Sequence, residues 1–435
     1  MSDPAWVPGD MTGLRIPAHS AALREGGEAF LTQAFRAVGA LPADNRVVRI
    51  TQFEECPGGS TGRKLLLSVA YEKPSPGLHH ELFVKFSRDF EDALRDRARV
   101  QMEREVRFAA LSRTPHFPIA VPVCYFADYH AETGTGILIT QRIAFGAGGI
   151  EPHYDKCLDY EMPAPLEHYR ALVTALARLA GTHKAGRFPA SVAQQFPFEP
   201  DKLSVSVRAP YTAKQLQNRV ARYAEFAAKY PQLLPENIRD PGFIAGLSEE
   251  VARFPEQEAA IKRFLASVPT LIALCHWNAN IDNAWFWRNE QGALECGLLD
   301  WGHVCQMNIA MSLWGALSAA EVEIWDHHLD TLLALFAQVF KGCGGPALDV
   351  AELSLHLELY IALMGLAWLL DAPPLIHAQI PDLATAESRF DPRIKASELA
   401  RAQLHMMTVF LNLWQTRDFG ASLGRFLRRP ASAGP

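Results

Sequence analysis

Paired cysteines are missing from this sequence. Its seven cysteines, Cys56, Cys124, Cys157, Cys275, Cys296, Cys305 and Cys343, are odd in number and include no C-x-x-C pair, which argues against a disulfide framework and against a zinc ribbon. Positive charge is in short supply as well: 42 Lys plus Arg stand against 48 Asp plus Glu, a formal net charge of −6. Nothing in that balance attracts a polyanion, so nucleic acid is not an expected partner. Long hydrophobic runs are absent. The longest, Ile361 to Leu370, is half the length needed to cross a bilayer and reads as a buried helix. Met1 to Asp10 has no basic stretch leading into an apolar one, the mark of a secretory signal. A cytoplasmic location without membrane association is the expectation, with the oligomeric state left open. What is present is ordinary globular material: 435 residues, 49% hydrophobic, 21% charged and 10% aromatic. That is enough for two compact units, or one domain with two lobes.

The pattern of residues divides the chain. Ala18 to Val38 has helical spacing. Val47 to Phe53, Lys64 to Tyr71 and Glu81 to Phe86 read as three strands of an antiparallel meander, with Cys56 to Gly62 and Lys73 to Gly77 as the turns. Arg95 to Ser112 follows a 3.6-residue period that gathers Leu94, Ala98, Met102, Val106 and Ala109 on one face. Two more strands are expected at Val121 to Ala127 and Gly136 to Arg142. The Gly- and Pro-rich stretch Gly146 to Pro165 is a connection. Beyond it the pattern is helical over Leu166–Lys184, Ala213–Ala228, Ser248–Val268, Ser312–Val339, Val350–Leu370 and Ser397–Asn412. The helical pattern is interrupted by the apolar run Leu271–Cys275 and by the hairpin formed from Ala284–Trp287 and Leu294–Leu299.

Three features carry chemistry. The loop Pro57-Gly58-Gly59-Ser60-Thr61-Gly62 lies between two strands, where glycines let backbone N–H groups approach phosphate oxygens. Taken alone it is equally a glycine-rich hairpin turn, and it is not a Walker A loop, because Arg63 stands where a glycine is required. Lys85 is a charge within the apolar segment Leu82 to Phe86. An isolated strand lysine is ordinarily solvent-facing, but Glu105 falls near the centre of the apolar face of the following helix, and a carboxylate aimed into a core needs a cation. The third is Cys275-His276-Trp277-Asn278-Ala279-Asn280-Ile281-Asp282-Asn283, followed after the hairpin by Asp300-Trp301-Gly302. Polar residues this dense between apolar strands must be paired, solvated or bound to an ion. Asn283 and Asp300 offer oxygens of the kind Mg²⁺ takes beside nucleotide phosphates.

This order of features resembles the aminoglycoside phosphotransferase and choline kinase group of the protein-kinase-like fold, which carries H-G-D-x-H-x-x-N, a strand hairpin and I-D-W. The likeness covers about residues 46 to 310 and is sharpest from Cys275 to Gly302. It implies an α+β fold with a small five-stranded antiparallel N-lobe and a mostly helical C-lobe. The expected divisions are an N-terminal helical extension (1–45), a nucleotide-binding N-lobe (46–145) and a C-lobe (146–435). It also implies ATP and Mg²⁺ as cofactors and a small-molecule acceptor. By resemblance Gly58, Gly59, Ser60, Thr61 and Gly62 cover the phosphates and Lys85 with Glu105 holds them. Gln141 lies at the hinge, Asn283 and Asp300 bind the metal, and His276 takes the first motif position.

Asn278 departs from the pattern, for it occupies the place of the catalytic Asp. Asn280 replaces the second His and Trp277 the Gly. An amide does not accept a proton near neutral pH, so the general-base role is not available at Asn278. Three readings follow. Asn278 orients a hydroxyl, with Asp282 supplying the carboxylate or the reaction running slowly. The acceptor is already ionised and needs no base. Or the protein binds nucleotide without transfer, as pseudokinases do. Asp282 itself has the plainer reading of a solvent-facing or turn-capping side chain. His303 and Cys305 read as an activation-segment His and a buried thiol.

Overall fold

The computed structural model describes residues 5–56, 61–202 and 211–429. Five strands form one antiparallel sheet: β3 (Val47–Cys56), β4 (Arg63–Tyr71), β5 (Glu81–Phe86), β6 (Cys124–His130) and β7 (Thr135–Gln141), in the order β3-β4-β5-β7-β6. Two short strands, β1 (Trp6–Pro8) and β2 (Arg15–Pro17), pair ahead of them. Alternation decides which face each residue takes. On β4, Leu65, Leu67, Val69 and Tyr71 are buried, and on β5 so are Leu82, Val84 and Phe86. These residues share a core with Leu23, Leu31 and Phe35 of helix α1 (Ser20–Ala37). The helix is broken at Gly27, whose φ of 51° is left-handed. The opposite face is covered at its β6 and β7 side by helix α2 (Met102–Leu111), through Met102, Val106, Ala109, Cys124, Tyr129 and Leu138.

The expected helix over Arg95 to Ser112 is not continuous. A short helix (Ala93–Arg97) passes into a 3₁₀ turn (Ala98–Gln101) before α2 begins. At three residues per turn the 3₁₀ segment rotates the apolar face away from a 3.6-residue register. Met102, Val106 and Ala109 are buried as the period requires, whereas Leu94 is 74% exposed.

The chain divides into two compact units: Met1–Pro152 with Gly297–Val304, and His153–Cys296 with Cys305–Pro435. The first therefore takes back a segment from far along the chain. Leu298 donates its N–H to the Ala120 carbonyl, and the Trp301 ring stacks on Phe108 of α2 with centroids 3.7 Å apart.

The second unit is mostly helical. Helix α3 (Pro165–Lys184) and the helix Ala213–Lys229 match their expected spans closely, and the latter opens with a capping box from Thr212 and Gln215. The expected helix Ser248–Val268 is two helices, Pro241–Val251 and Phe254–Ser267, since Pro255 suits a helix start and not an interior. Ser312–Val339 is likewise divided into α4 (Ile309–Leu317) and α5 (Val322–Gly342). The pattern over Val350–Leu370 resolves into α6 (Val350–Met364) and a π-helical turn, Gly365–Leu369. Val350–Leu369 is long and apolar enough to cross a membrane, and most of it is buried in the protein. The run after Leu271 is strand β8 (Ile272–Cys275). β9 (Ala284–Arg288) and β10 (Leu294–Leu298) form the hairpin, and β11 (Cys305–Asn308) pairs antiparallel with β8.

Candidate functional site

In the first unit the face of β4 and β5 that points away from the α1 core carries the chemistry. Lys64 on β4 lies directly across from Lys85 on β5, and the next pair on that face is Leu66 with Phe83. Two lysines thus stand at the end of the sheet nearest Gly62, followed by two half-buried apolar side chains. Like charges directly opposed across strands repel. Here the Lys85 Nζ is held by two carboxylates: it donates to Glu105 Oε1 of α2 at 2.7 Å and to Asp300 Oδ1 at 3.1 Å. Burial alone would drive a proton off Lys85, but these two neighbours hold it charged, above the ordinary lysine range. Glu105 is pushed upward by its own burial and pulled back by Lys85, and the Trp301 backbone N–H also bonds it. The Lys64 ammonium is lowered by burial and by Lys85.

Backbone geometry aims two of these groups. Asp300 has φ 59° and ψ 67°, a left-handed conformation at the turn Trp301–His303, and its side chain is 48% exposed while reaching Lys85. The turn is anchored by the Phe108 stack and by Trp301 Nε1 donating to the Leu298 carbonyl at 3.1 Å. Gly62 has φ 49°, and a Cβ there would collide with the Phe86 carbonyl oxygen. Its own carbonyl accepts from Arg95 Nη2 at 2.7 Å. Thr61 is half-buried beside it, whereas Gly58, Gly59 and Ser60 lie outside the described residues. Gln141 ends β7, where its N–H donates to the Val123 carbonyl.

In the second unit the loop after β8 is a hydrogen-bonded network. The Asn278 N–H donates to His276 Nδ1 at 3.1 Å, Asn280 Nδ2 donates to Asn278 Oδ1 at 3.1 Å, and Asn283 Nδ2 donates to the Asn278 carbonyl at 2.8 Å. Helix α4 clamps this loop from one face. Ser312 Oγ donates to the His276 carbonyl at 2.8 Å, and Ser318 Oγ donates to Asn280 Oδ1 at 3.0 Å. Between them Gly315 leaves room for the Trp277 carbonyl, which a Cβ would strike. The spacing of three residues puts all three on one helix face. Trp277 is held by its Nε1 donating to the Tyr360 hydroxyl on α6 at 2.8 Å.

Asp282 is turned toward the segment ahead of α3. Its carboxylate stands 3.6 Å from Lys156 Nζ, its carbonyl meets His153 Nε2, and its Oδ1 is buried without a hydrogen bond. Burial raises its carboxyl, against the pull of Lys156. Nearby, Asp159 is fully buried and takes a hydrogen bond from the Tyr169 hydroxyl. The structure therefore brings Lys85, Glu105 and Asp300 together in one unit, and His276, Asn278 and Asn283 together in the other. Asp282 is engaged with Lys156 and His153.

Each unit taken by itself carries an oxygen of the kind Mg²⁺ takes. In the first, Asp300 offers a half-exposed carboxylate; in the second, Asn283, its amide nitrogen committed to Asn278, keeps Oδ1 without a hydrogen bond among the described residues. One or two protein oxygens are what Mg²⁺ takes when phosphates and water complete its shell. Lys64, Ser312, Gly315 and Ser318 were not singled out by sequence. Alternation along β4 marks Lys64 as facing away from the core, but its position opposite Lys85 is visible only once the strands pair.

No family model matches the chain, and no curated protein matches it. Solved structures similar to it include a choline kinase from Cryptosporidium parvum Iowa II, at 11% identity over 87% of this chain and 93% of that one, with a TM-score of 0.42. A spectinomycin phosphotransferase solved with ADP and spectinomycin is similar at 12% identity over 85% and 94%, with a TM-score of 0.40. An ethanolamine kinase from Plasmodium vivax is similar at 14% identity over 85% and 83%, also with a TM-score of 0.40. Likenesses this distant carry no activity, substrate or ligand over to this chain.

Proposed function

We propose that this protein is an ATP- and Mg²⁺-dependent phosphotransferase acting on a small molecule. The observation that carries the proposal is the Lys85 ammonium, half-buried on the sheet face and shared between Glu105 at 2.7 Å and Asp300 at 3.1 Å. A cation fixed by one enclosed carboxylate and one half-exposed carboxylate is set to meet phosphate oxygens and a metal together. Lys64 adds a second positive charge beside it, and Leu66 and Phe83 offer an apolar surface for a base. Gly62 holds the end of the glycine-rich turn against Phe86. When bound, the nucleotide supplies the phosphoryl group and Mg²⁺ neutralises its charge. In the second unit Asn283 would contribute a metal oxygen and Asn278 would position the acceptor, with His276 and helix α4 fixing the loop. All seven cysteines are free, which suits a reducing compartment.

A second reading, nucleotide binding without transfer, is favoured by the amide at Asn278. Thermal unfolding tests the shared part. Mg²⁺ and ATP together should raise the melting temperature by several degrees at saturating ligand, since a hundredfold excess over Kd adds about 2.7 kcal/mol. EDTA should remove most of that shift, and Asp300→Ala should make the protein insensitive to Mg²⁺. A wild-type protein that ATP does not stabilise with or without Mg²⁺ would refute both readings. Turnover in the presence of acceptors separates them.

A further inference from the structure

We infer that the acceptor reacts through an oxygen that is already anionic, that of a carboxylate or a phosphate monoester, and not through an alcohol. This rests on the phosphotransfer reading above. It follows from what the loop after β8 offers. Asn278 Oδ1 is occupied by Asn280 Nδ2 at 3.1 Å, and Asn280 is in turn held by Ser318 Oγ at 3.0 Å. Beside the remaining lone pair of that oxygen, Asn278 presents its Nδ2, an N–H donor with no hydrogen bond among the described residues. A donor at that point favours a negatively charged oxygen, and in either orientation an amide does not remove a proton from a hydroxyl.

The neighbouring groups do not replace the missing base. The Nδ1 of His276 accepts the Asn278 N–H, and the His276 ring is fully buried. Asp282 is mostly buried and directed to Lys156, with its carbonyl on His153. The Asn278 side chain bonds only Asn280 among the described residues. Two of the three departures from the H-G-D-x-H-x-x-N pattern are thus coupled. Asn278 and Asn280 bond each other, giving an uncharged pair where the pattern has an acid and a histidine.

The reaction then balances without a base. The anionic oxygen forms a bond to the γ-phosphorus of ATP, and the bond from that phosphorus to the β,γ-bridging oxygen breaks. The electron pair leaves on ADP, and no proton is taken from the acceptor. A carboxylate gives an acyl phosphate, and a phosphate monoester gives a phosphoanhydride.

The experiment incubates the full-length protein with Mg-ATP and three panels of metabolites: carboxylates, phosphate monoesters and neutral or cationic alcohols. ADP release is read alongside hydroxamate formation with hydroxylamine, which traps acyl phosphates, and ³¹P NMR, which shows a new phosphoanhydride. ADP release is expected with an anionic panel and not with the alcohols. For a carboxylate, kcat/KM should be flat between about pH 6 and 8. For a phosphate monoester it should bend near about pH 6, where the second ionisation falls. Asn278→Asp should lower kcat/KM for the anionic acceptor by about tenfold or more through like-charge repulsion, while preserving the Mg-ATP thermal shift. Turnover of an alcohol by the wild-type protein overturns this inference and leaves the phosphotransferase reading standing. A Mg-ATP thermal shift with no turnover on any panel overturns both and leaves nucleotide binding. Absence of the shift removes the nucleotide reading itself.

Discussion

A single ammonium at Lys85 ties two carboxylates that are 195 residues apart in sequence, the enclosed Glu105 and the half-exposed Asp300, so the charge of each group depends on the others. Removing one partner from such a set leaves an uncompensated charge, so these residues behave as a unit. Asp159 is the contrasting case, a buried carboxyl with no cation beside it among the described residues. Burial, with smaller contributions from Glu321 and Asp282, raises it to about 7 from 3.8, against the lowering effect of the Tyr169 hydroxyl. In the unfolded chain Asp159 ionises near 3.8, so folding holds a proton that the unfolded state would release. The stabilising effect of that proton is complete below about pH 4 and is lost as pH rises through about 7. Asp159→Asn cannot ionise and keeps an oxygen for Tyr169. The variant should melt close to wild type at pH 4.5 and about 2 °C or more above it at pH 8. A difference that does not change with pH would show that Asp159 is not held protonated.

At the scale of elements, the turn ahead of β4 depends on one glycine. Gly62→Ala must move either the turn or the end of β5, because φ 49° and the Phe86 carbonyl leave no place for a methyl group. The expected cost is about 1–3 kcal/mol in urea unfolding, together with a smaller Mg-ATP thermal shift. Wild-type stability and binding in that variant would show that β4 and β5 tolerate a wider turn. Much of this unit was legible in sequence because strand alternation is local: Lys64 to Tyr71 and Glu81 to Phe86 declare their faces from one residue to the next. The Lys85 and Glu105 pairing was also legible, since a carboxylate on an apolar helix face needs a cation. Where backbone geometry changes inside a periodic run, the period misleads. Leu94 fits the face of Met102 and Val106 by counting, yet the intervening 3₁₀ turn exposes it. The loop clamp made by Ser312, Gly315 and Ser318 was not legible, because small residues at an apolar helix acquire meaning only from the loop they meet, 36 to 38 residues earlier in the chain. Nor could spacing show that Asp282 engages Lys156, a contact across 126 positions.

At the scale of the whole molecule, the chain leaves the first unit at Pro152 and returns to it for Gly297–Val304. The returning segment brings Asp300 to Lys85 and Trp301 to Phe108, so a ligand held by Lys85 should be felt in two stretches of sequence far from each other. Hydrogen exchange tests this. Addition of Mg-ATP should slow exchange in β4, β5 and residues 299–303 together, and EDTA should reverse the effect in 299–303 more than in the strands, since Asp300 is the proposed metal contact of that segment. The surroundings of Asp128, whose carboxylate receives the N–H groups of Met11 and Thr12 at 3.0 Å, should exchange unchanged, because that network belongs to the N-terminal hairpin and has no part in the Lys85 set. Slowing confined to β4 and β5, with 299–303 indifferent to nucleotide and metal alike, would separate Asp300 from the metal. It would leave Lys85 as a phosphate contact whose second carboxylate serves only to hold its charge.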